Sequence, residues 1–199
     1  MKDLIRKILK EYEEEKILVI PSLKYFGDDW NALQLFLKSK GNPKWKLLDN
    51  LNLTDSPIES LENLQSVGGN LYLTDSPIES LGNLQSVGGN LYLRYTPIES
   101  LENLQSVGGH LYLSNSPIKS LGNLQSVGGN LDLYNTPIES LENLQSVGGN
   151  LVLNGTPIES LGNLQSVGGY LHSVNTSLSK KYTEEEIRQM VDVKGSIFM

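Results

Sequence analysis

Aliphatic residues recur along most of the chain at fixed places in a unit that repeats every twenty residues. In the copy Gly68–Val87, GGNLYLTDSPIESLGNLQSV, an L-x-L pair is followed by aliphatic residues spaced three apart. Alternation in the L-x-L pair predicts a half-buried strand, and the spacing of three predicts an irregular or 3₁₀-like return rather than a long helix. Later copies start at Gly88, Gly108, Gly128, Gly148 and, less perfectly, Gly168.

A unit of twenty residues has too few buried side chains to fold by itself, so neighbouring units must seal each other. A sequence period of this length is typical of a solenoid. The L-x-L strands of successive coils are then expected to pair in parallel. The expected strand centres are Leu51, Leu71, Leu91, Leu111, Leu131, Leu151, Leu171 and Ile197.

The motif L-x-L-x-x-[ST]-P-I-x-S-L-x-N-L-x-x-V-G-G resembles the short repeats of bacterial and phage leucine-rich-repeat proteins, and it covers about 130 of the 199 residues. The resemblance implies an α/β repeat solenoid: a right-handed coil with a parallel concave β-sheet, a mostly non-helical convex side and helical caps at both ends. It also implies binding of a partner on the concave sheet. The family's Asn after the strand is Ser or Thr here, as at Ser76 and Thr96, and a hydroxyl there can still bond the backbone of the turn. The column of Asn63, Asn83 and their equivalents could form a ladder instead.

Three segments are expected along the chain. Residues 1–46 form an N-terminal helical cap, with an amphipathic helix at 2–15 and a second helix that starts after Asp28 or Asp29 and closes at Gly41. The first helix would cover the open end of the solenoid or be a frayed terminus, or else it would dock a partner or another copy of the chain. Residues 47–176 form the solenoid, and residues 177–199 form a C-terminal cap. That cap has a helix opened by a Thr183–Glu186 capping box and a final strand whose edge could support self-association.

Two columns of the repeat raise questions about the backbone. The first coil has Asp49 where later coils have the second Gly of the pair, and the last strand keeps that glycine as Gly195. Because Asp tolerates left-handed backbone, the second Gly is expected to have positive φ. The column from Glu62 to Gly162 alternates Glu and Gly, which indicates duplication of a forty-residue unit or a designed array.

Composition narrows the functional classes. The net charge of −7 argues against nucleic acid and an anionic membrane surface as partners, because both are bound by clustered Lys and Arg. The chain has no cysteine, so disulfides, thiolate metal sites and a Cys nucleophile are excluded. It has no apolar run long enough to cross a membrane and no long apolar signal region near Met1, so a cytoplasmic location is expected.

The positions that differ between copies cluster around the strand, on the side opposite the buried leucines. Tyr, Asn and Ser at such places make large rigid contacts with adaptable hydrogen bonds, as antibody combining sites do. We therefore expect a protein-binding face there, with a glycan-binding face and a structural or designed scaffold without a ligand as alternatives. The candidate partner-binding residues are Tyr72, Tyr92, Arg94, Tyr95, His110, Tyr112, Asn115, Asp132 and Tyr134.

Catalysis, metal binding and cofactor binding are not expected. The two histidines, His110 and His172, fall three strands apart, or about 14 Å at strand spacing, which is too far to share a metal. Asp55 and Asp75 could form a carboxylate pair that binds a cation or acts in acid–base work, but two acids alone do not define such a site. The Gly-Gly turns also lack the pattern of a phosphate-binding loop.

Overall fold

The computed structural model describes residue 6 and residues 17–199, so the helix expected at 2–15 lies outside the described residues except for residue 6. The described chain is a parallel β-solenoid with two sheets. At its N-terminal end are strand β1 (Leu18–Ile20), a 3₁₀ turn (Leu23–Phe26), helix α1 (Trp30–Ser39) and strand β2 (Trp45–Leu47). No helix in the described part of the chain is long and apolar enough to span a membrane.

Each coil contributes one strand to each sheet. After β1 and β2, sheet A contains β4 (Leu64–Val67), β6 (Ser86–Val87), β8 (Ser106–Val107), β10 (Ser126–Val127), β12 (Ser146–Val147), β14 (Ser166–Val167) and β16 (Asp192–Val193). Sheet B contains β3 (Leu51–Asn52), β5 (Leu71–Tyr72), β7 (Leu91–Tyr92), β9 (Leu111–Tyr112), β11 (Leu131–Asp132), β13 (Leu151–Val152), β15 (Leu171–His172) and β17 (Ile197–Phe198).

Sheet B confirms the predicted strands in register. Leu71 pairs with Leu91, and each L-x-L pair buries both leucines completely or nearly so in one continuous core. The ladder is carried by backbone bonds such as Leu71 N–H to Asn90 O, 2.9 Å, and Leu73 N–H to Tyr92 O, 2.9 Å. Because identical coils stack at one spacing, the same bonds recur down the solenoid.

Sheet A corrects the prediction of a 3₁₀-like return. Ser86 and Val87 form a second parallel strand, in register with Ser66 and Val67 of the preceding coil. Val87 points inward and is buried, whereas Ser86 lies on the outer surface. The spacing of three arises because a turn precedes this strand, closed by Leu84 N–H donating to Leu81 O at 3.2 Å. Periodicity alone cannot separate a turn followed by a two-residue strand from a loose helical turn.

The Gly-Gly pair contradicts the prediction of positive φ. Neither glycine of the pair is left-handed; the left-handed positions are instead the Asp75 and Gly82 columns. The pair is needed because the coils approach closely. A Cβ on Gly88 would collide with the carbonyl oxygen of Gly68, and a Cβ on Gly89 would lie 2.9 Å from the carbonyl carbon of Gly69.

The alternating Glu and Gly column has a structural cause in the spacing of coils. We call a coil with Glu in this column a Glu coil and one with Gly a Gly coil. Where a Gly coil follows a Glu coil, the two backbones are close: Asn83 N–H donates to Glu62 O at 2.9 Å, and Glu79 N–H donates to Glu59 O at 2.9 Å. A Cβ on Gly82 would lie 2.5 Å from Glu62 O. Isolated backbone bridges join the Glu and Gly coils of each pair: Ser60–Ser80, Ser100–Ser120 and Ser140–Ser160.

Where a Glu coil follows a Gly coil, a side chain makes the connection. The Ser80 hydroxyl donates to the Glu102 carboxylate at 3.1 Å, and Ser120 donates to Glu142 in the same way at 3.1 Å. The solenoid therefore repeats every forty residues at this corner, although its hydrophobic period is twenty. Glycine occupies the column where the backbone lies close to that of the preceding coil, and glutamate occupies it where the carboxylate accepts a hydrogen bond from the preceding coil.

Polar side chains form two further columns of bonds along the solenoid. The Ser/Thr column closes its own turn, as expected: Ser76 Oγ donates to Leu73 O at 2.6 Å, and Thr96 Oγ1 donates to Leu93 O at 2.8 Å. The Asn63 column also forms a ladder, since Asn103 Nδ2 donates to the preceding coil at Gly82 O, 2.9 Å. The hydroxyl bonds satisfy buried backbone carbonyls, whereas the asparagine bonds join exposed backbone of successive coils.

Helices lie at both ends of the solenoid. In α1, the Asp29 carboxylate accepts from Asn31 N–H at 2.8 Å, and Leu33 and Leu37 are buried. At the other end, α2 (Ser177–Lys181) and α3 (Glu184–Met190) replace the single helix expected there. Extended backbone at Tyr182 separates the two, and the predicted Thr183–Glu186 capping box opens α3.

Candidate functional site on the outer face of sheet B

Three tyrosines stack on the outer face of sheet B. Tyr72 and Tyr92 have ring centroids 4.8 Å apart and planes 6° apart, and Tyr92 and Tyr112 follow at 5.0 Å and 18°. Asn70 Nδ2 donates to the Tyr72 hydroxyl oxygen at 3.1 Å, and Asn90 Nδ2 donates to that of Tyr92 at 3.1 Å. Strand pairing therefore sets the ring spacing and the asparagines fix the ring tilt. We call these three residues the tyrosine ladder.

An ion pair closes one end of the tyrosine ladder. The Arg94 guanidinium lies 4.6 Å from the ring centroid of Tyr112, and its terminal nitrogen meets the Asp132 carboxylate at 2.7 Å. Arg94 thus extends over Tyr112 from the coil before it to the coil after it. The buried Nε of Arg94 has no hydrogen-bond partner within the described residues. Because 41% of the Arg94 side chain is exposed, solvent screening limits the contribution of the pair to stability.

Two further tyrosines stand at the rim of the ladder. Tyr95 is 59% exposed and Tyr134 is 50% exposed. Tyr95 has φ +57°, in a column where every other coil has Asp, Asn or Gly. Left-handed backbone is a strained state for a bulky residue and an ordinary one for Asn, Asp or Gly. Tyr95 is therefore a strained residue at an exposed position where the other six coils have a residue that tolerates left-handed backbone.

The predicted residue His110 has a structural role as well. In its column each side chain accepts a backbone N–H from the next coil: Asn70 Oδ1 from Asn90 N at 2.7 Å, and His110 Nδ1 from Asn130 N at 2.8 Å. Nδ1 of His110 therefore carries no proton in this arrangement. Sequence reasoning placed this column on the binding face and missed the ladder, although near-invariance of Asn there was a signal for it.

The remaining predicted residues fall into two groups. Asn115 lies exposed at the rim, where its Oδ1 accepts from Asn135 Nδ2 at 2.9 Å. Asp132 forms the ion pair with Arg94 through one carboxylate oxygen, and its other carboxylate oxygen accepts from Tyr134 N–H at 3.1 Å. The structure thus brings all nine candidates to one face, but it uses His110 and Asp132 partly to hold that face together.

A second aromatic cluster at the C-terminal end of sheet B was not predicted. The ring centroids of His172 and Phe198 are 4.2 Å apart, and Tyr170 packs edge-on against His172 at 5.0 Å. Two coils, which carry Asp132 and Val152 at the outward position, separate this cluster from the tyrosine ladder. The sequence did contain a signal for this cluster, because Phe198 aligns with the outward position of the strands, next to His172.

The outer surface of sheet A is different in kind. It forms an open groove of about 560 Å³ that runs over six coils and is lined by repeated Ser, Val and Gly, with Lys194 at one end. Every full coil has the same three residues there, and the Val side chain among them points into the core. The groove therefore offers a periodic surface with no position at which one coil differs from another.

Comparisons with protein-family models, with curated proteins and with solved structures found no match to this chain. Within residues 17–199 no group of three or more His, Asp or Glu side chains could hold a metal ion. His110 and His172 lie on coils separated by two intervening strands of sheet B. The features that distinguish one coil from another are aromatic, amide and ion-pair contacts.

Proposed function

We propose that this chain is a non-catalytic binding module that recognises a protein partner through the tyrosine-bearing face of sheet B. The observation that carries the proposal is Tyr95, an exposed tyrosine on left-handed backbone. Backbone strain of this kind persists where the surrounding structure holds it, and it clusters at functional sites. Asn at this position would relieve the strain, so a gain from the exposed ring is needed to explain the tyrosine.

The tyrosine ladder supports the same proposal. Its rings are held by stacking and by Asn70 and Asn90, so little side-chain entropy would be lost when a partner docks. Tyr95 and Tyr134 add exposed aromatic area beside it, and aromatic residues are enriched in the cores of protein interfaces. The face thus combines rigid anchors with the amides of neighbouring coils.

The glycan alternative is weaker on this geometry. Sugar rings stack on the faces of aromatic rings, but both faces of Tyr92 and one face of Tyr72 are covered by neighbouring tyrosines. Arg94 covers the second face of Tyr112. On this face Tyr95 and Tyr134 are the most exposed tyrosines, and Tyr72 keeps one ring face free of other rings and cations within the described residues. The scaffold alternative leaves the strained Tyr95 without a cause.

We propose further that the coils of this chain have the same basic structure as those of short leucine-rich repeats. The L-x-L strand, the inward leucines and the asparagine bonds between coils support it. The second parallel strand at Ser86–Val87 is an addition to what the resemblance implies. The boundaries at 1–46, 47–176 and 177–199 and the bacterial or phage origin stay predictions.

Self-association through the final strand also stays a prediction. Arg188 donates to Val193 O at 2.8 Å and to Gly195 O at 2.9 Å, so its guanidinium covers part of the sheet A edge. The adjacent sheet B edge at Ile197–Phe198 has no such cover within the described residues, and Phe198 is 42% exposed. Light scattering at increasing protein concentration, with Phe198→Ser as the matched variant, tests it.

The binding proposal is tested with a random twelve-residue peptide library displayed on phage. Peptides selected on the wild type are measured against the double variant Tyr95→Asn/Tyr134→Ser, which substitutes residues found in neighbouring coils. We expect at least about tenfold weaker binding, as for loss of one or two interface anchors. The control Lys119→Glu restores the commonest residue of a column away from sheet B and should bind as the wild type does. Equal binding by the double variant would contradict the proposal, and a glycan array run in parallel tests the alternative.

A further inference from the structure

The two ends of the tyrosine ladder differ. At Tyr112 the outer ring face is covered by Arg94, whose guanidinium is 4.6 Å from the centroid and is paired with Asp132. At Tyr72 one face stacks on Tyr92, and no other ring or cation contacts it within the described residues. The neighbour in register on that side is Asn52, a shorter, exposed side chain. Among the residues that the structure describes, the ladder therefore ends in a closed ring face at Tyr112 and an open one at Tyr72.

The open end lies next to a cleft with an acidic surround. A cavity of about 410 Å³ begins at Asn52, the register partner of Tyr72, and lies between the first coil and the 3₁₀ turn. Asp55 and Asp75 are exposed in the column beside the ladder at the same end. The residues lining the cleft are Ser22, Leu23, Lys24, Asp28, Asp49, Asn50 and Asn52.

Negative charge is in excess at this end. The cleft and the rim carry four carboxylates, those of Asp28, Asp49, Asp55 and Asp75, against one cation, Lys24. Asn50 N–H and the Ser22 hydroxyl donate to Asp49 and hold the pKa of its carboxyl below the usual range, so it is ionised at neutral pH. The aromatic ring face and the surrounding negative charge therefore both favour binding of a planar cationic group.

We propose that the open face of Tyr72 receives an arginine side chain of the protein partner, in the way that Arg94 covers Tyr112. This rests on the proposed function, because it names the chemistry that the sheet B face would read. The guanidinium would lie over the ring, as that of Arg94 lies over Tyr112, and the carboxylates of the cleft and the rim would attract its charge. Arginine fits better than lysine, since its planar group stacks on an aromatic face while it donates to carboxylates.

The test uses the peptide acetyl-Gly-Gly-Arg-Gly-Gly-amide in a two-dimensional NMR titration of the full chain. The matched peptides carry citrulline, which keeps the planar group and removes the charge, or lysine. We expect the arginine peptide to shift the Tyr72 ring signals and the amides of Asn52 and Asp75. The citrulline peptide should bind roughly fivefold more weakly, as expected for loss of a cation–π contact at an exposed site.

Two variants make the test specific. Tyr72→Val places at this coil the residue that Val152 provides in its own coil, and it should abolish the shifts while the rest of the spectrum keeps its dispersion. Arg94→Ala uncovers the second face of Tyr112 and frees Asp132, so it should create a second arginine site with shifts at Tyr112.

Each outcome decides the inference. Selective shifts at Tyr72 with arginine, together with a second site in Arg94→Ala, support it. Equal binding of citrulline, or shifts confined to other surfaces, overturns it. A site at Tyr112 in Arg94→Ala without one at Tyr72 in the wild type also overturns it. The display experiment with Tyr95→Asn/Tyr134→Ser then decides the proposed function separately.

Discussion

The two sheets of this solenoid are built by the same coils and differ in what they show to solvent. Sheet A presents Ser and Gly at every full coil, whereas sheet B presents Tyr, Asp, Val and His in turn at the equivalent outward place. Both are parallel ladders over one core. Since the ladder tolerates such variety on sheet B, the constancy of sheet A needs a cause of its own.

For the glycines of sheet A the cause is crowding at the corner between the sheets. Gly88, Gly108 and Gly128 each lie where a Cβ would collide with the carbonyl oxygen of the preceding coil. Sheet B has no such contact at its outward positions, where large rings stack with centroids 4.8–5.0 Å apart. The glycine column is therefore fixed by packing, whereas the outward positions of sheet B are open to selection for binding.

The largest effect is expected from a methyl group placed on the constant side. Gly128→Ala should lower the free energy of unfolding by about 2–3 kcal/mol, because its Cβ meets backbone that cannot move aside. Tyr72→Val on sheet B should cost only about 1 kcal/mol, the value of a lost ring contact. Urea unfolding of both variants measures the difference, and equal losses would remove the distinction between the two sides.

The alternating Glu and Gly column provides a second test of how close contact between coils fixes a residue. Gly122→Ala should cost about 2 kcal/mol, because it adds a Cβ 2.5 Å from Glu102 O on left-handed backbone. Glu142→Gly should change stability by less than about 1 kcal/mol, since relief of left-handed strain offsets the lost bond from Ser120. Thermal unfolding distinguishes them, and a larger loss in Glu142→Gly would contradict the forty-residue repeat.

On the variable side one substitution should stabilise the fold while it weakens binding. Tyr95→Asn replaces a strained residue at φ +57° by one that tolerates this backbone, so unfolding should require about 0.5–1 kcal/mol more. Peptides selected on the wild type should bind it more weakly. Calorimetry and binding on the same preparation give both values. A variant that is less stable, or that binds equally well, would show that Tyr95 is not held for function.

Acid is expected to lower the stability of the two ends of the solenoid, where Asp49 and Glu186 lie, and to leave the two sheet faces unaffected. Asn50 N–H and Ser22 lower the pKa of Asp49, and the Thr183 N–H and hydroxyl lower that of Glu186. A lowered pKa in the folded state stabilises above the unfolded value, and this stabilisation is lost as the pH falls through the folded value. Between about pH 5 and 3 the wild type should therefore lose slightly more stability than Asp49→Asn/Glu186→Gln. Unfolding midpoints across that range measure it, and parallel curves would contradict it.

Sequence periodicity was sufficient to place the strands of sheet B and to align Ile197 with Leu171, because inward leucines must alternate on a strand. It failed for the return segment, where a turn and a two-residue strand have the spacing of a loose helix. It also misplaced the left-handed backbone: Gly69 is conserved in the array by contact between coils, and Glu62 is left-handed despite its side chain. Contacts between coils do not appear in the pattern of one coil.

The candidate site was predicted as a set of residues but not as an arrangement. Outward alternation placed Tyr72, Tyr92 and Tyr112 together, which the structure confirms. The reach of Arg94 across two coils to Asp132 and the acceptor role of His110 depend on side-chain conformation, which no sequence period specifies.

The most direct test of the account is to map a display-selected peptide onto both faces by amide and ring NMR shifts. We predict shifts at Tyr72, Tyr92, Tyr95, Tyr112 and Tyr134, with the serine and glycine signals of sheet A unchanged. Shifts along Ser86, Gly88 and their equivalents, with the sheet B tyrosines unmoved, would contradict the claim that the variable face is the binding surface.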